Sequence, residues 1–407
     1  MLRCVLLFLG VLLLCSASTL RAEEVILLER VGADSEVSPV LQAAGCTIQM
    51  RRLSGGKQEG VELIRLDNGN LRIWLSPMRG LSILAVERKT AGGQYEKVLG
   101  WDSPVKEVVH PQYINLESRG GLGWLEGFNE WMVRCGLEYA GHPGRDEFID
   151  NTGATSTMDL TLHGKVGNIP ASLTEVVVDG DRVAIRGVVH ERMFFGPKLE
   201  LIAEVSTTAN SSEFRIHDTV INHGAAPQEI MLLYHCNFGQ PLLQQGAKVL
   251  VAADRIIPMN EHAATSIDDY ATYAGPTPGY IEQVYLVHPR SDGRGETLAL
   301  LKNADSSLGC SLRWSTKQLP YLTIWKNTTT LADGYVTGLE PGTCFPYNRS
   351  VERSAGRVMK LPSETPHTFA IDVAVHATTD AVAAVEKQIG ELQGDKPAQL
   401  DKTPPAH

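Results

Sequence analysis

Apolar and polar residues alternate with a period of two over most of the chain. Between Val61 and Val86 the alternation breaks at Asn68-Gly69-Asn70, which predicts a hairpin turn between two strands. A second strand-rich stretch runs from Leu160 to Ile221 and turns at Asp179-Gly180-Asp181. Strand patterns resume from Met231 to Ala374. A period of two is typical of strands with one buried and one solvated face.

Two segments depart from this alternation. Residues from Val105 to Gly141 show no clean period and predict a long crossing segment with one or two short helices. Apolar residues at helical spacing predict a C-terminal helix from Thr378 to Leu392. The remainder from Gly394 is rich in Lys, Asp and Pro, which predicts a disordered tail.

Many strands, few helical patterns and no alternation of strand with helix predict an all-β fold of antiparallel sheets packed face to face. No repeat of fixed period is visible, which disfavours a propeller. No internal segment has the composition of a linker. We therefore expect one β-sandwich domain over residues 23–377, followed by the helix and tail at residues 378–407.

The first residues predict a secretory signal peptide over residues 1–22. Arg3 precedes the apolar run from Cys4 to Leu14, and small residues follow, up to Ala22. We therefore expect export to the periplasm or the extracellular space. A membrane anchor is disfavoured, because the run is about half of the ~20 residues that span a bilayer. A lipoprotein with a lipidated Cys15 remains an alternative, although a leucine directly before that cysteine fits poorly. No later segment is apolar enough to predict a membrane span.

Composition narrows the partners of the protein. Of the 407 residues 43% are hydrophobic and 21% are charged, which is ordinary for a globular protein. The net charge of -10 is spread along the chain without a basic block, so nucleic acid is not an expected partner. The five cysteines beyond residue 22 are odd in number and widely spaced, which predicts neither a disulfide scaffold nor a metal site: Cys46, Cys135, Cys236, Cys310 and Cys344.

Several sharply specific motifs are missing from the sequence. It contains no phosphate-binding Gly-x-x-x-x-Gly-Lys, no dinucleotide-binding Gly-x-Gly-x-x-Gly, no His-Glu-x-x-His zinc helix, no EF-hand loop and no Gly-x-Ser-x-Gly elbow. Nucleotide, dinucleotide and common zinc-hydrolase chemistries are therefore disfavoured.

Two histidines and one carboxylate stand at strand ends beside glycine or proline. His235 ends an apolar run before Gly239, His163 precedes Gly164, and Glu340 lies in a Gly-Leu-Glu-Pro-Gly turn. A histidine and a carboxylate can act as general acid and general base on one substrate. A histidine at a strand end is also commonly a structural residue, so residue types alone leave both roles open.

Several segments together resemble a known family. They are Pro77-Met78-Arg79-Gly80-Leu81-Ser82-Ile83, Gly121-Leu122-Gly123-Trp124, His163-Gly164-Lys165, Tyr234-His235-Cys236-Asn237-Phe238-Gly239 and Gly338-Leu339-Glu340-Pro341. In this order and spacing they resemble the aldose 1-epimerase-like proteins of the DUF4432 family, in the galactose mutarotase-like superfamily. The resemblance runs from about Leu63 to about Val373. It implies a large antiparallel β-supersandwich with a few short helices and a sugar-binding concave face.

The resemblance also implies roles for individual residues. His235 falls where mutarotases place the general acid, and Glu340 where they place the general base. Arg79 and His163 match positions that contact the sugar, although Arg79 could instead form a rim ion pair. Trp325-Lys326 resembles a family segment near the cleft, where the tryptophan could stack on a sugar or belong to the core. The implied anomer interconversion needs no cofactor and no metal.

The implied chemistry also requires particular charges on the two reacting side chains. His235 must be protonated while Glu340 is ionised, and we expect the nearby carboxylate to raise the imidazole pKa.

The chain departs from the family pattern at two places. Lys165 stands where the family has arginine, which replaces a bidentate contact by a point charge. The counterpart of the mutarotase aspartate that binds a sugar hydroxyl is not evident, and Asp268, Asp269 and Glu282 are the alternatives.

Three functions remain open from the sequence, each with a small sugar or sugar derivative as the partner. The first is an aldose 1-epimerase-like isomerase, which the presence of both His235 and Glu340 favours. The second is a carbohydrate-binding protein without turnover, since a fold does not fix a function. The third is a carbohydrate lyase or hydrolase, which the lack of a second large domain disfavours.

Overall fold

A computed structural model of the chain describes residues 23–29 and 35–406. The predicted signal peptide, residues 1–22, lies outside the described residues. Within the described ranges, no helix combines the length and apolar character needed to cross a membrane.

Strands dominate the described residues. The first thirteen in chain order are β1 (Glu24–Leu27), β2 (Leu41–Ala43), β3 (Cys46–Arg52), β4 (Glu62–Asp67), β5 (Leu71–Ser76), β6 (Ser82–Lys89), β7 (Tyr95–Leu99), β8 (Met132–Cys135), β9 (Gly144–Ile149), β10 (Thr155–Leu160), β11 (Leu173–Asp179), β12 (Arg182–Arg192) and β13 (Lys198–Thr208). The others are β14 (Glu213–Asn222), β15 (Gln228–Ile230), β16 (Leu233–Phe238), β17 (Lys248–Val251), β18 (Ala253–Pro258), β19 (Gln283–Pro289), β20 (Glu296–Lys302), β21 (Gly309–Ser315), β22 (Tyr321–Asn327), β23 (Val336–Gly342), β24 (Met359–Leu361), β25 (His367–His376) and β26 (Gln399–Leu400).

The helices of the described residues lie between strands, and only the last is longer than six residues. The α-helices are α1 (Ser118–Gly121), α2 (Glu261–Ala264), α3 (Arg349–Ser354) and α4 (Thr379–Gln393). Single 3-10 turns occur at Gly56–Gln58, Pro77–Arg79, Pro111–Tyr113, Gly123–Gly127, Val166–Asn168 and Ile267–Asp269. The crossing segment thus carries α1 and two 3-10 turns, as its missing period indicates.

Two large sheets form the body of the molecule. The first has nine strands in the order β1-β11-β12-β13-β14-β25-β21-β20-β17. The second has thirteen, in the order β2-β3-β4-β5-β6-β8-β16-β23-β22-β19-β18-β26, with β7 paired to β6. Every pairing in them is antiparallel except that of β18 with β26. The predicted all-β antiparallel supersandwich is confirmed.

The predicted hairpins form where turn residues interrupt the alternation. Between β4 and β5 the Asn68 side chain accepts hydrogen bonds from the backbone N–H of Asn70 and Leu71, at 2.9 and 2.7 Å. Gly69 adopts a φ of 92°, which glycine reaches without the steric cost of a side chain. The turn at Asp179-Gly180-Asp181 joins β11 to β12, with Gly180 at a φ of 64°.

The core lies between the two large sheets and takes alternate residues from each strand. In β12, for example, Val183 and Ile185 are fully buried against the second sheet. Strand β16 is buried along its whole length, because the crossing segment covers the face that points away from the core. The five cysteines of the described residues are all buried and none forms a disulfide.

A fully buried ion pair joins the two sheets behind β16. Arg134 in β8 donates to Asp218 in β14 through Nε at 2.5 Å and Nη2 at 2.8 Å. The hydroxyl of Tyr234 in β16 donates to the same carboxylate at 2.8 Å. Two backbone carbonyls, of Gly80 and Leu81, accept from the other arm of the guanidinium. Every polar atom of this buried cluster is therefore engaged.

Replacing Asp218 with alanine leaves a buried guanidinium without its counter-charge. We expect this change to lower the free energy of unfolding by about 3–5 kcal/mol, measured by urea denaturation. Asp372→Ala is the matched control, because its partner Arg215 and the carboxylate are 54% and 41% exposed. That control should cost less than about 1 kcal/mol. Equal losses for the two variants would contradict a special role for the buried pair.

The C-terminal helix forms within one residue of the predicted ends, with Thr378 capping it through a hydrogen bond from the backbone N–H of Ala381. The predicted disordered tail is corrected. Gln399–Leu400 adds a parallel strand to β18, and Asp401 accepts a hydrogen bond from Arg255. Composition indicates disorder because the tail has few apolar residues, whereas the unpaired edge of β18 supplies backbone hydrogen bonds that composition does not record.

Candidate active site

A cavity of ≈ 280 Å³ lies on the face of the thirteen-stranded sheet that points away from the core, beneath the crossing segment. This volume is at the small end of ligand pockets and suits a single small molecule. The wall is apolar except for histidine, threonine and carboxyl groups. It comprises Leu122, Trp124, Leu125, Phe128, His142, Pro143, Leu162, His163, His235, Glu282, Val284, Thr323, Trp325, Glu340 and Pro346.

Three polar residues form a row across neighbouring strands on the cavity floor. The register that pairs Cys236 with Leu339 places His235 of β16 opposite Glu340 of β23. Glu340 in turn lies opposite Thr323 of β22. Opposite residues of an antiparallel pair share one face, so the three side chains point together into the cavity.

The intervening residues of the same strands point the other way. Cys236, Leu339 and Ile324 are fully buried in the core between the sheets. The alternation that builds the sandwich therefore also places His235, Glu340 and Thr323 on the outer face.

His235 contacts a polar group through each ring nitrogen. Its Nδ1 lies 2.6 Å from the side-chain oxygen of Asn237, and its Nε2 lies 3.2 Å from Oε1 of Glu340. The contact with Glu340 lacks the alignment of a hydrogen bond, so this carboxyl oxygen is buried without an aligned partner. The structure therefore brings the predicted pair together without a hydrogen bond between the two side chains.

Burial decides the protonation of this pair in the free site. Loss of water lowers the pKa of His235 to about 4, against a smaller upward effect of the hydrogen bond with Asn237. Burial also raises the pKa of Glu340 well above its ordinary value, with a further upward contribution from the charge of Glu282. The expectation that Glu340 raises the imidazole pKa is corrected, because desolvation disfavours both charged forms. Burial therefore favours a neutral imidazole beside a protonated carboxyl in the free pair.

Aromatic rings supply this dry environment. The His235 ring lies between Trp124, Phe128 and Trp325, with centroid distances of 5.8, 5.4 and 5.5 Å. Trp124 and Phe128 belong to the crossing segment, whose turns fold over the sheet at this point. The crossing segment therefore shields the His235 ring from solvent.

Glycine at position 338 leaves room for the acid–base pair. Its neighbours across the sheet are Asn237 and Trp325. A Cβ at this position would lie 2.6 Å from Oε1 of Glu340 and 3.3 Å from Cε1 of His235. The absence of a side chain thus allows the two groups to meet.

His163 lies beside the pair, as expected from the resemblance. Its ring centroid is 5.2 Å from that of His235, and its Nδ1 is buried without a hydrogen-bond partner in the protein. Burial lowers its pKa well below the ordinary value, which keeps the ring neutral. The following Gly164 is required, because a Cβ there would lie 2.2 Å from the carbonyl oxygen of Tyr139.

Arg79 does not line the cavity, which corrects the expectation of a direct sugar contact. Its Nε donates to the carboxylate of Glu130 at 2.9 Å, its Nη1 to the side chain of Asn168, and its Nη2 to the carbonyl of Gly127 at 3.1 Å. The side chains of Arg79 and Glu130 are each 1% exposed. The arginine holds the crossing segment in place from behind.

Of the pair Trp325-Lys326, only the tryptophan faces the cavity. Neighbouring residues of a strand point to opposite faces, so Lys326 lies on the core side. There its ammonium donates to the carbonyls of Asp269, Tyr270 and Thr272 at 2.7 to 3.2 Å. The expected substrate contact of Lys326 is therefore corrected to a structural role.

Three acidic residues were the alternatives for the mutarotase aspartate that binds a sugar hydroxyl, and of these only Glu282 lines the cavity. It accepts a hydrogen bond from Nε1 of Trp325 at 2.8 Å. Asp268 instead pairs with Lys402 of the tail. Lys165, which replaces the family's arginine, lies 3.3 Å from Glu138 and is not on the cavity wall. The departure from the family pattern at Lys165 therefore lies outside the cavity wall.

Sequence reasoning missed three polar residues of the site, His142, Asn237 and Thr323. Asn237 and Thr323 lie two positions from His235 and Trp325 respectively, and therefore on the same face of their strands. Alternation along β16 and β22 was the signal that could have identified these two.

Comparisons with known proteins identify the family and the fold of the chain. Residues 58–375 match the model of a family described as a domain of unknown function, DUF4432. A search of curated proteins found no match. Among solved structures, a proposed aldose 1-epimerase from Klebsiella pneumoniae subsp. pneumoniae is similar with a TM-score of 0.82 and 41% identity, covering 89% of this chain and 91% of that chain.

A galactose mutarotase-like protein from Clostridium acetobutylicum has a TM-score of 0.56 at 14% identity, over 81% of this chain and 98% of its own. A galactose mutarotase related enzyme from Lactobacillus acidophilus has a TM-score of 0.52 at 14% identity, over 78% and 98%. These two similarities concern the fold. The chain belongs to the DUF4432 family and has the galactose mutarotase-like fold.

Proposed function

We propose that this protein is an aldose 1-epimerase-like isomerase that interconverts the anomers of a small sugar. The observation that carries the proposal is the contact of 3.2 Å between Nε2 of His235 and Oε1 of Glu340 on the floor of a cavity of ≈ 280 Å³. The proposed activity of the relative from Klebsiella pneumoniae supports the same reaction.

The reaction needs one proton acceptor and one proton donor. Glu340 accepts the proton of the anomeric hydroxyl while His235 donates a proton to the ring oxygen, and the C1–O5 bond opens. The carbonyl end rotates, and the same groups act in reverse to close the ring as the other anomer. No atom is gained or lost, so the pair returns to its starting state.

The pair contains a single exchangeable proton, which suits this cycle. In the free site burial places it on Glu340. A sugar hydroxyl that donates to Glu340 stabilises its ionised form and thereby favours transfer of the proton to His235. Substrate binding thus generates the reactive ion pair.

Two buried polar atoms of the cavity provide contacts for sugar hydroxyls. Oγ1 of Thr323 and Nδ1 of His163 have no hydrogen-bond partner in the protein. Buried polar groups are rarely left unpaired, so these atoms suit a polyhydroxylated ligand. The indole of Trp325, oriented by its bond to Glu282, offers an apolar surface to a sugar ring.

Export remains part of this proposal. The signal-peptide pattern of residues 1–22 supports action on sugars outside the cytoplasm.

The direct test is anomer exchange followed by NMR saturation transfer on a panel of aldoses. We expect the protein to accelerate exchange of at least one aldose above its uncatalysed rate. Ligand binding is measured separately on the same panel by saturation-transfer difference. Aldoses that bind without faster exchange would replace the isomerase by a carbohydrate-binding protein.

The pH dependence of the exchange rate follows from the requirement for one proton. Below a pKa of about 4 His235 takes up a second proton, and the pair has no acceptor. Above the raised pKa of Glu340 the pair loses its proton and has no donor. We therefore expect kcat/KM to fall toward pH 4 and to fall again as pH rises through the raised pKa of Glu340. An acid limb near pH 6.5, with the fold intact by circular dichroism, would contradict this assignment.

A further inference from the structure

The amide of Asn237 has a single orientation that its surroundings allow. Its nitrogen Nδ2 lies 3.0 Å from the backbone carbonyl of Glu130 and 3.1 Å from that of His235. Both carbonyls only accept hydrogen bonds, so the NH2 group must face them. The side-chain oxygen is thereby directed at Nδ1 of His235, at 2.6 Å.

An amide oxygen is also only an acceptor, so the proton of a neutral His235 ring must be on Nδ1. We propose that Asn237 is a positioning residue that fixes this tautomer, so that Nε2, which faces Glu340, is the nitrogen that gains and loses the proton. The inference rests on the proposed function for its catalytic meaning. The tautomer itself can be measured without turnover.

The same contacts assign a function to Arg79. The carboxylate of Glu130 is held by Nε of Arg79, and the backbone carbonyl of Glu130 accepts from Asn237. That carbonyl also accepts from Nε1 of Trp101 at 3.1 Å. Arg79 therefore acts on His235 through Glu130 and Asn237, although it does not reach the cavity. Asn237 and Glu130 are both fully buried, which protects this sequence of contacts from water.

Asparagine differs here from a carboxylate in one respect that matters for the pair. It fixes the ring without adding a negative charge beside Nδ1. The titratable groups that face the ring are Glu340 and His163, and both are buried. Because the partner at Nδ1 is neutral, the single exchangeable proton is shared only between His235 and Glu340.

The first measurement is a long-range 1H–15N spectrum of the protein labelled with 15N in histidine, taken at neutral pH. Protonated and unprotonated ring nitrogens differ strongly in 15N shift, so the spectrum identifies the tautomer. We expect the His235 signal, assigned by its loss in His235→Gln, to show a protonated Nδ1 and an unprotonated Nε2. A protonated Nε2 with a bare Nδ1 would overturn the proposal, whether or not the protein turns over a sugar.

Two substitutions at Asn237 test its role in the reaction. Asn237→Asp keeps an acceptor at Nδ1 but adds a charge, which stabilises the imidazolium, so the acid limb of kcat/KM should move to higher pH. Asn237→Leu removes the acceptor, and the 15N spectrum should then show loss of the single tautomer. Its kcat should fall by at least about tenfold, which is part of the 10²–10⁴-fold that acid–base catalysis provides in full, with a smaller change in KM.

Arg79→Lys tests the indirect path, because lysine keeps the charge but cannot make the three contacts of the guanidinium. We expect lower kcat with a smaller change in KM, and a mixed tautomer in the 15N spectrum. An unshifted acid limb in Asn237→Asp together with an unchanged tautomer in Asn237→Leu would overturn the positioning role. Slow wild-type exchange beside the expected wild-type tautomer would instead count against the proposed function alone.

Discussion

Glu340→Gln is expected to lower the rate of anomer exchange by about 10²–10⁴-fold, which is the usual contribution of a general acid–base group. Glutamine has nearly the same shape as the carboxyl it replaces, and it can neither accept nor deliver the proton of the pair. The rate is measured by saturation transfer at saturating sugar. Because the change removes a group that acts in the reaction, we expect kcat to fall more than sugar affinity.

Measuring stability against pH separates loss of the reacting group in Glu340→Gln from loss of the fold. The folded-state pKa of Glu340 is raised, so its contribution to stability is complete below the pKa of the unfolded chain and is lost as pH rises through the folded-state value. Glutamine carries no such dependence. The variant should therefore equal the native chain in urea denaturation at acid pH and exceed it increasingly at alkaline pH.

A double-variant cycle separates a shared role from two independent ones. If His235 and Glu340 act as one pair, His235→Gln combined with Glu340→Gln loses little more activity than either change alone. Losses that multiply in the double variant would mean that the two groups serve separate steps. Unchanged exchange in Glu340→Gln would end the acid–base assignment.

The sequence predicts the fold well because the fold follows from local signals. Alternation sets the faces of the strands, and Asn68-Gly69-Asn70 and Asp179-Gly180-Asp181 set two of the turns. Which strands are neighbours is a long-range property that alternation does not contain. That His235 and Glu340 meet was therefore implied only by the family resemblance, and the register of β16 with β23 supplies the reason.

Side-chain direction explains most of what sequence reasoning got wrong at the site. Trp325 and Lys326 are consecutive strand residues, so they could not both face the cavity. Arg79 lies in a 3-10 turn, where no simple period fixes the direction of a side chain. Its guanidinium is taken up by Glu130 of the crossing segment, and that segment has no pattern from which its path could be predicted.

The same crossing segment explains the protonation of the pair. A carboxylate beside a histidine raises the imidazole pKa when both are solvated, which was the expectation from the sequence. Trp124 and Phe128 close the site from water, and desolvation then outweighs the attraction between the charges. Electrostatics at His235 therefore depends on residues more than one hundred positions away in the chain.

Gly338→Ala is expected to reduce anomer exchange by about 10²-fold while leaving both reacting side chains in the protein. The new methyl group would lie 2.6 Å from Oε1 of Glu340, and the carboxyl group, being the end of a flexible side chain, must move away. A displacement of about 1 Å from the reactive geometry is enough for a loss of this size. The φ of Gly338 is not positive, so alanine fits the strand backbone. We expect the rate to fall through a longer distance between Glu340 and His235.

Gly187→Ala is the matched control for this change. Gly187 also lies within a long strand with no positive φ, and its added Cβ would meet Ala171 and Leu81 at 3.4 Å, an ordinary contact. Exchange should be unaffected there, and the free energy of unfolding of both variants should stay close to that of the native chain. A crystal structure of Gly338→Ala tests the cause directly, since the distance from Glu340 to His235 must exceed 3.2 Å. Full activity in this variant would show that the contact between the two side chains is not the reacting geometry, even if each of them is required.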